Sequence, residues 1–548
     1  MPSNVAAEPS GGEFLFQEPD HIFSPEEFDS DARLMIDTAR QFALKEVQPH
    51  LERLDTQEEG LMPALFAKMG ELGLAGPETP EEYGGLGLPK TLGTRILEML
   101  SLNGSFSTTV AVHIGIGQAP IYLWGTEEQK RKYLPKLASG EWMSAYALSE
   151  PNSGSDALGL STRAIRDGDD YLLTGTKMWI SNAKWADVFI TFAKTDGDKI
   201  TAFIVERGFT GVSIGAEEHK TGLKGSSTAR LVLEGARVPA SNVLYREGEG
   251  HRVAFNALNL GRLKLGAMSL GPARSALHHS AKYAKDRKQF GKPIAEFGLI
   301  RDKFARMGAL FFAVESTLYR VCSLVDSAFE AVDANAADLA DENRKAAEVF
   351  AIECSANKIF STEALAYCAD EAIQIHGGYG FTEEFPVSRI WRDARVTRIY
   401  EGTNEVNRLF IFDRVVKRGL AESLLRAVPS SFTHELLIES ARVATGCLGE
   451  NLASDQQIAA ALSDLLIGHL TQQSAHKRAA QMAGHPNAEF AAAAAAQYKA
   501  MSESIALARA AEVYARCGRE QSLTLPPAKF DSADVVASAI LESAGYPI

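Results

Sequence analysis

Several features that would settle a class at once are missing from this sequence. Only five cysteines occur in 548 residues, Cys322, Cys354, Cys368, Cys447 and Cys517. Their number is odd, their spacing wide, and no Cys-x-x-Cys occurs. Neither a disulfide framework nor a zinc site is indicated, no metal is expected, and a reducing compartment fits. No apolar run reads as a membrane span. The N-terminus, MPSNVAAEPSGGEF, lacks the basic segment and apolar stretch of a signal peptide. A transit peptide would be rich in arginine and poor in acids. The expected setting is therefore a soluble, bacterial-type cytoplasm. Positive charge is also short: the formal net charge is -14, which argues against a nucleic-acid partner. There is no Walker A motif. The glycine-rich PEEYGGLGLP (Pro80 to Pro89) follows no strand and lacks the third glycine of a dinucleotide loop, so it reads as a tight turn between helices.

What remains is ordinary globular composition, 45% hydrophobic and 23% charged, in a chain too long for one core. Its texture divides it. Residues 1–23 read as a mobile tail. FSPEEF then offers Ser24 as N-cap, Pro25 at N1 and Glu27 at N3, a capping box with Phe23 and Phe28 placed to staple it. A helical stripe of Leu34, Ile36, Ala39, Phe42 and Val47 follows, and residues 24–143 read as all-helical. Residues 144–248 turn to short runs rich in β-branched and aromatic residues, YLLTGTKMWIS, DVFITFAKT, KITAFIVERG and TARLVLEGARV, separated by Gly and Asp turns. Long helical stretches return at 249–416 and suggest a bundle, the third running from NRKAAEV through EAIQI. Residues 417–548 are helical again but rich in alanine, with Pro429, Gly484 to Pro486 and Pro526-Pro527 as breaks, and read as an additional helical domain. The fold class is α+β: an N-terminal helical domain, a central antiparallel β-barrel or sandwich, a four-helix bundle and the added domain.

Five short motifs carry chemistry, and each has a plain structural explanation beside it. YALSEPNSGSD (Tyr146 to Asp156) is a loop of small hydroxyl residues and glycine that lets backbone approach a ligand, or is only a turn. KMWISNA sets Trp179 and Ser181 two apart on a strand, able to flank a flat heterocycle, or is a core tryptophan with an incidental serine. In DRKQFG, Arg287 could pair with phosphate or merely suit a helix C-terminus. IQIHGGYGF breaks a helix with paired glycines beside Gln374, and His376 reads as packed rather than catalytic. RIYEGTNEVNR places Glu401 and Glu405 four apart around Gly402; alone, it does not separate a surface charge from a catalytic base.

The order of the five decides between these readings. A helical domain, a β domain with YALSEPNSGSD and KMWIS, and a bundle with DRKQFG, IQIHGGYGF and IYEGTNEVNR together resemble the acyl-CoA dehydrogenase family of flavoproteins, over residues 24–415. FNALNLGRLKLGA, KITAFIVERGF and the C-terminal extension are most similar to its very-long-chain branch. The resemblance implies α,β-desaturation of long or very-long-chain acyl-CoA to trans-2-enoyl-CoA in fatty acid β-oxidation, with FAD as cofactor and electron-transferring flavoprotein as acceptor. It implies that Tyr146, Leu148, Ser149 and Ser155 contact FAD, with Ser155 also near the thioester. Trp179 and Ser181 sit against the isoalloxazine ring, while Arg287, Gln289, Phe290, Gln374 and Gly378 reach an FAD bound by a neighbouring subunit. Thr403 and Glu405 hold the nucleotide, Asn259, Arg262 and Gly402 line the substrate site, and Glu401 is the base. Ser149 and Ser181 stand where many members have threonine and keep the hydroxyl. Asn259 replaces an aspartate of shorter-chain members. Gly261 cannot serve where some members carry their base, which leaves Glu401 without a rival.

The chemistry asks for these residue types. A thioester α-C–H is a weak acid, so a carboxylate must be held at the α-carbon and desolvated enough to act as a base. Fixed N–H donors must meet the carbonyl oxygen as enolate character grows, each contributing about 3 kcal/mol in a dry pocket. In the family, the N–H of the base itself is one such donor. Gly402, without a Cβ, permits the sharp turn beside it. Ser107 to Pro120 should form a wall of the acyl pocket, where Gly115 and Gly117 either leave room for a long tail or allow close helix packing. The added domain is expected to cover the surface that smaller relatives use to pair dimers, giving a homodimer. Residues 413–426 read as a weakly basic amphipathic packed helix, with peripheral membrane contact as the alternative. The competing functions are an acyl-CoA oxidase and an assembly or scaffold protein on the same fold.

Overall fold

The capping box at Ser24 forms, but it closes only a single turn. Glu27 Oε1 accepts from the Ser24 N–H at 2.8 Å, Pro25–Glu27 is one 3-10 turn, and Phe23 packs edge-on against Phe28 with ring centroids 5.2 Å apart. Phe28 then turns extended (φ -59°, ψ 130°). The long helix begins later, at Ser30, capped by Asp29, whose Oδ1 accepts from Ala32 N at 2.8 Å. A second competent cap five residues downstream captured the helix start. Of the expected stripe, Ala39, Phe42 and Val47 are buried, whereas Leu34 is 70% exposed.

The computed structural model describes residues 10–526 and 531–548. They fall into two units: Asp29–Gly271 with Val325–Val349, and the N-terminal residues through Phe28 with Pro272–Leu324 and Phe350–Ile548.

In the unit that starts at Asp29, helices α1 (Ser30–Phe42), α2 (Leu51–Asp55), α3 (Leu61–Glu71), α4 (Lys90–Leu100), α5 (Gly104–Ala111), α6 (Ala119–Trp124) and α7 (Glu127–Ala138) precede an eight-stranded sheet. The strands are β1 (Ser144–Ala147), β2 (Arg163–Asp167), β3 (Asp170–Ser181), β4 (Val188–Lys194), β5 (Ile200–Glu206), β6 (Val212–Ile214), β7 (Thr228–Pro239) and β8 (Val243–Leu244). Their order is β6-β7-β3-β2-β4-β5-β8, with β1 running parallel along β4. The long β3–β7 and β4–β5 ladders are antiparallel. Leu173, Phe189, Phe203, Leu231 and Val238 fill the space under the sheet, each worth about 1.5–3 kcal/mol of buried apolar surface. PEEYGGLGLP is the expected turn, with Gly84 and Gly87 at φ +85° and +58°.

The glycines of the predicted pocket wall are spoken for. A Cβ on Gly117 would collide with the Ser144 side chain, and one on Gly115 would press on Lys264 Cδ at 3.2 Å. Both glycines are thus closely packed, because neighbouring side chains already occupy the space that their missing Cβ atoms free.

The other unit is helical. It holds parts of α8 (Gly250–Asp286) and α9 (Gly298–Glu330), then α11 (Ala351–His376), α12 (Pro386–Val396), α13 (Asn404–Lys417), α14 (Leu420–Arg426), α15 (Phe432–Leu448), α16 (Gln456–Gln481), α17 (Ala488–Arg516) and α18 (Asp531–Ser543). Helix α10 (Leu339–Val349) belongs to the first unit, and the third expected helix is broken at Phe350. Helix α9 is long and apolar enough to cross a membrane, yet 83% of its apolar window is buried in the protein, as in a core helix. The 413–426 stretch is not one helix: Gly419 at φ +70° separates α13 from α14, and Val415 and Leu424 are buried in the core of this unit.

The mobile-tail expectation fails where the tail is described. Residues 1–9 lie outside the described residues, but Phe14 and Leu15 are buried. Glu353 Oε1 accepts from Gly12 N at 2.6 Å. His469 and His434, stacked with centroids 4.0 Å apart, donate through Nε2 to the carbonyls of Phe14 and Leu15 at 2.9 and 3.0 Å. The segment looked mobile because the polar and apolar partners that hold it lie more than 300 residues away.

Candidate active site

In the sheet unit, one buried ion pair ties the YALSEPNSGSD loop to the KMWIS strand. Lys177 Nζ donates to Glu150 Oε1 at 2.7 Å and to the Leu148 carbonyl at 3.3 Å. Glu150 also accepts from Ser161 N and Oγ, both at 2.6 Å, and from Thr162 N and Oγ1 at 3.1 and 2.6 Å. Burial works against the Glu150 carboxylate, but the Lys177 charge and these donors outweigh it and hold its pKa at about 2. Burial draws Lys177 down to about 8 against the pull of Glu150, so both are charged at neutral pH. Met178 N donates to the Ser149 carbonyl at 2.8 Å, the backbone half of the same clamp.

Beside the clamp, the strand is irregular. Its register with β7 slips between Lys177 and Ile180, so one extra residue sits on β3. Trp179 takes up the slack at φ +63° and is 56% exposed. For a bulky residue such a φ is strained, and strain of this kind gathers at binding sites. The pleat alone, on which the sequence argument relied, does not set the direction of this ring. Tyr146 and Leu148 are buried, with Tyr146 Oη donating to Ala254 O at 3.2 Å. Ser149 and Ser181 are half-buried and Ser155 is exposed. On α8, Arg262 and Asn259 are buried together, with Arg262 Nη1 donating to Asn259 Oδ1 at 3.1 Å.

In the helical unit, Glu401 lies in the turn before α13, half-buried, with φ +56° followed by Gly402 at +79°. Two consecutive left-handed residues make a tight reversal that glycine tolerates and glutamate does not favour. Side chains hold it in place. Asn407 Nδ2 donates to the carbonyls of Glu401, Gly402 and Thr403 at 3.3, 2.7 and 3.1 Å. The buried Lys358 ammonium donates to Gly402 O at 2.8 Å and Asn404 Oδ1 at 2.7 Å. Thr403 is the N-cap of α13, its Oγ1 accepting from Val406 N at 3.2 Å. The Glu405 carboxyl is held below its usual range by its own backbone N–H and the Thr403 hydroxyl, which makes it part of the cap. Like charge from Glu401 adds to burial in raising the Tyr400 phenol.

DRKQFG and IQIHGGYGF also meet in this unit. Arg287 lies over the Tyr379 ring, 5.8 Å from its centroid, and Tyr283 stacks on His376 at 4.3 Å. His376 is buried, its Nδ1 donating to Ala372 O at 2.7 Å, and burial lowers its pKa; it is the packed histidine that was expected. Arg287, Gln289, Phe290, Gln374 and Gly378 are all exposed, with Phe290 at 94% and φ +50°.

Sequence reasoning did not single out Glu150, Lys177, Lys358 or Asn407. The signal available was position: Glu150 and Lys177 lie inside quoted motifs, and a lysine in the middle of a strand is rarely buried unless paired. Lys358, 43 residues before Glu401 in the chain, gave none.

Three family models match the chain: "Acyl-CoA dehydrogenase, N-terminal domain" over residues 29–141, "middle domain" over 145–236 and "C-terminal domain" over 248–416. A probable acyl-CoA dehydrogenase of Bacillus subtilis is 46% identical over 430 residues, 77% of this chain and 72% of that protein. The human very long-chain specific acyl-CoA dehydrogenase, mitochondrial, is 42% identical over 353 residues, 62% of this chain and 51% of its own length. A crystal structure of an acyl-CoA dehydrogenase complexed with FAD from Bacillus anthracis superposes with a TM-score of 0.94 at 37% identity, covering 98% of this chain and all of that one.

Proposed function

The chain belongs to the acyl-CoA dehydrogenase family of FAD-dependent oxidoreductases, and we propose that it desaturates long or very-long-chain acyl-CoA thioesters, with Glu401 removing the α-proton. The observation that carries the base assignment is the held turn at Glu401, and the long-chain part is supported by the 42% identity to a very long-chain specific relative. A carboxylate in a left-handed conformation, its carbonyl and the next two gripped by Asn407 and one of them also by Lys358, is constrained as a base needs to be.

The residues present suit FAD. Trp179 is exposed and fixed at a bulge, the Ser149 and Ser181 hydroxyls are half-buried, and the Glu150–Lys177 clamp joins their two segments. Tyr146, Leu148, Ser155, Thr403 and Glu405 complete the set we assign to the cofactor. Bound FAD supplies the acceptor for the β-hydride. The Glu401 carboxylate takes the α-proton, and its own N–H steadies the thioester oxygen as negative charge builds there. Arg262 and Asn259, with Gly402, belong to the substrate side. Arg287, Gln289, Phe290, Gln374 and Gly378 are exposed because, in this reading, they meet the FAD of a second copy in a homodimer. Residues 417–548 are taken as an added helical domain, and electron-transferring flavoprotein as the acceptor.

The test is an anaerobic flavin spectrum with palmitoyl-CoA, repeated with shorter chains. Rapid bleaching by C14–C20 substrates is expected. A sharp optimum at C4–C8 would sink the long-chain assignment, and peroxide formed at the rate of substrate loss in air would make the protein an oxidase.

A further inference from the structure

The C-terminal addition reaches the turn that carries Glu401. Asp464 lies on α16, and its Oδ1 accepts from Arg408 Nε at 2.6 Å. Arg408, on α13, grips both oxygens of Glu363 on α11 at 2.9 and 3.0 Å. Glu363 Oε1 accepts from Asn404 Nδ2 at 3.0 Å. Asn404 Oδ1 accepts from Lys358 Nζ at 2.7 Å, and the same ammonium donates to the Gly402 carbonyl at 2.8 Å. The path from Asp464 to the peptide bond after Gly402 is thus unbroken. A second tie runs alongside: Ser463 Oγ donates to the Arg408 carbonyl at 2.7 Å. On its far side Asp464 is held by Arg509 Nε of α17, 2.9 Å from Oδ2. Arg408 and Asp464 are only 15% and 12% exposed, so water does not screen the pair as it would a surface bridge.

We propose that Asp464 is a positioning residue for the α-proton transfer: from the added domain, through Arg408, Glu363, Asn404 and Lys358, it fixes the turn on which Glu401 stands. This rests on the reading of Glu401 as the base. The arrangement gives residues 417–548 a part in the chemistry besides packing. Arg408 is held between two carboxylates, one from the bundle and one from the addition, and its helix starts two residues after Gly402. Loss of Asp464 leaves Arg408 to Glu363 alone and lets the start of α13 drift, and the base drifts with it. Rates are sensitive to displacements of an ångström or less at the reacting atoms.

The experiment compares wild type, Asp464→Asn, Asp464→Ala, Asp464→Glu and Ser463→Ala, purified with FAD, by anaerobic bleaching with palmitoyl-CoA. For Asp464→Asn we expect bleaching at saturating substrate slower by about tenfold, KM and FAD content within twofold of wild type, and a larger isotope effect with α-deuterated substrate. Asp464→Glu should recover most of the rate, and Ser463→Ala, which alters no charge, should lose severalfold. The proposal is overturned if Asp464→Asn melts earlier yet bleaches at the wild-type rate, or if its loss of rate follows loss of FAD. Should Asp464→Ala fail to fold, Asp464→Glu and Ser463→Ala decide alone. A Glu401→Gln control that bleaches normally removes the base reading itself and this proposal with it. If the control is dead and the Asp464 variants are unaffected, only the link from the added domain falls.

Discussion

Lys177 Nζ stands 2.7 Å from Glu150 Oε1 where neither side chain reaches water, and the two residues belong to the two segments that flank the proposed flavin face. Removing one partner of such a pair leaves a buried charge uncompensated, at about 3–5 kcal/mol. Lys177→Met is therefore expected to unfold at markedly lower temperature and to lose FAD on gel filtration. Pairing it with Glu150→Gln should recover much of the melting temperature, since the charge that suffered is gone. A single variant that keeps both stability and flavin would remove the clamp from this account.

Acid should loosen the same place. The folded-state pKa of Glu150, about 2, lies below its ordinary 4.5. Between these values the unfolded chain binds the extra proton and the folded chain does not. The stabilisation is whole above pH 4.5 and is lost as pH falls toward 2. Melting curves from pH 6 to 3 should fall more steeply in wild type than in Glu150→Gln; parallel curves would contradict this.

The histidine pair predicts a second pH effect, at milder acidity. Burial, with help from the charge of His434, lowers His469 to about 3 from 6.5, and burial also lowers His434. Here the unfolded imidazole takes a proton that the folded one refuses, so stability declines as pH falls from 6.5 toward 3. For His469 this amounts to about 2 kcal/mol at pH 5. Because these rings hold the carbonyls of Phe14 and Leu15, cleavage within residues 12–28 by an acid-tolerant protease should speed up from pH 7 to 5. His469→Asn, which lacks the titrating ring, should flatten that dependence.

Glu401→Gln keeps the shape of the turn and removes the base. Bleaching by palmitoyl-CoA is expected to slow by at least about 10²–10⁴-fold, the usual contribution of general base catalysis. FAD binding and melting temperature should stay near wild type. An active Glu401→Gln protein would mean that the proton leaves by another route.

Gly117→Ala separates packing from specificity. The new methyl would press on Ser144, whose Cβ lies 2.9 Å from the place it would take, so a loss of about 1–3 kcal/mol is expected. The chain-length profile should not move. A shift of the optimum toward shorter acyl-CoA would restore this glycine to the tail pocket.

The sequence by itself determined the elements and the chemistry they bear. Period-2 runs, turn residues and long apolar helical stripes marked the sheet between helices, and the order of five motifs named the family, because local patterns are set by neighbours in the chain. That Thr403 caps the helix after Glu401 is shown by one hydrogen bond, from Val406 N to its Oγ1. Only the tertiary structure decided which glycines had room beside them, where the first long helix starts, and that Phe14 and Leu15 lie buried. It alone disclosed the polar partners Glu150–Lys177, Lys358–Gly402 and Asp464–Arg408. The last two pairs are separated by 44 and 56 residues. Packing volume and buried charge are satisfied by whatever side chain the fold delivers through space, and no pattern along the chain records which one that is.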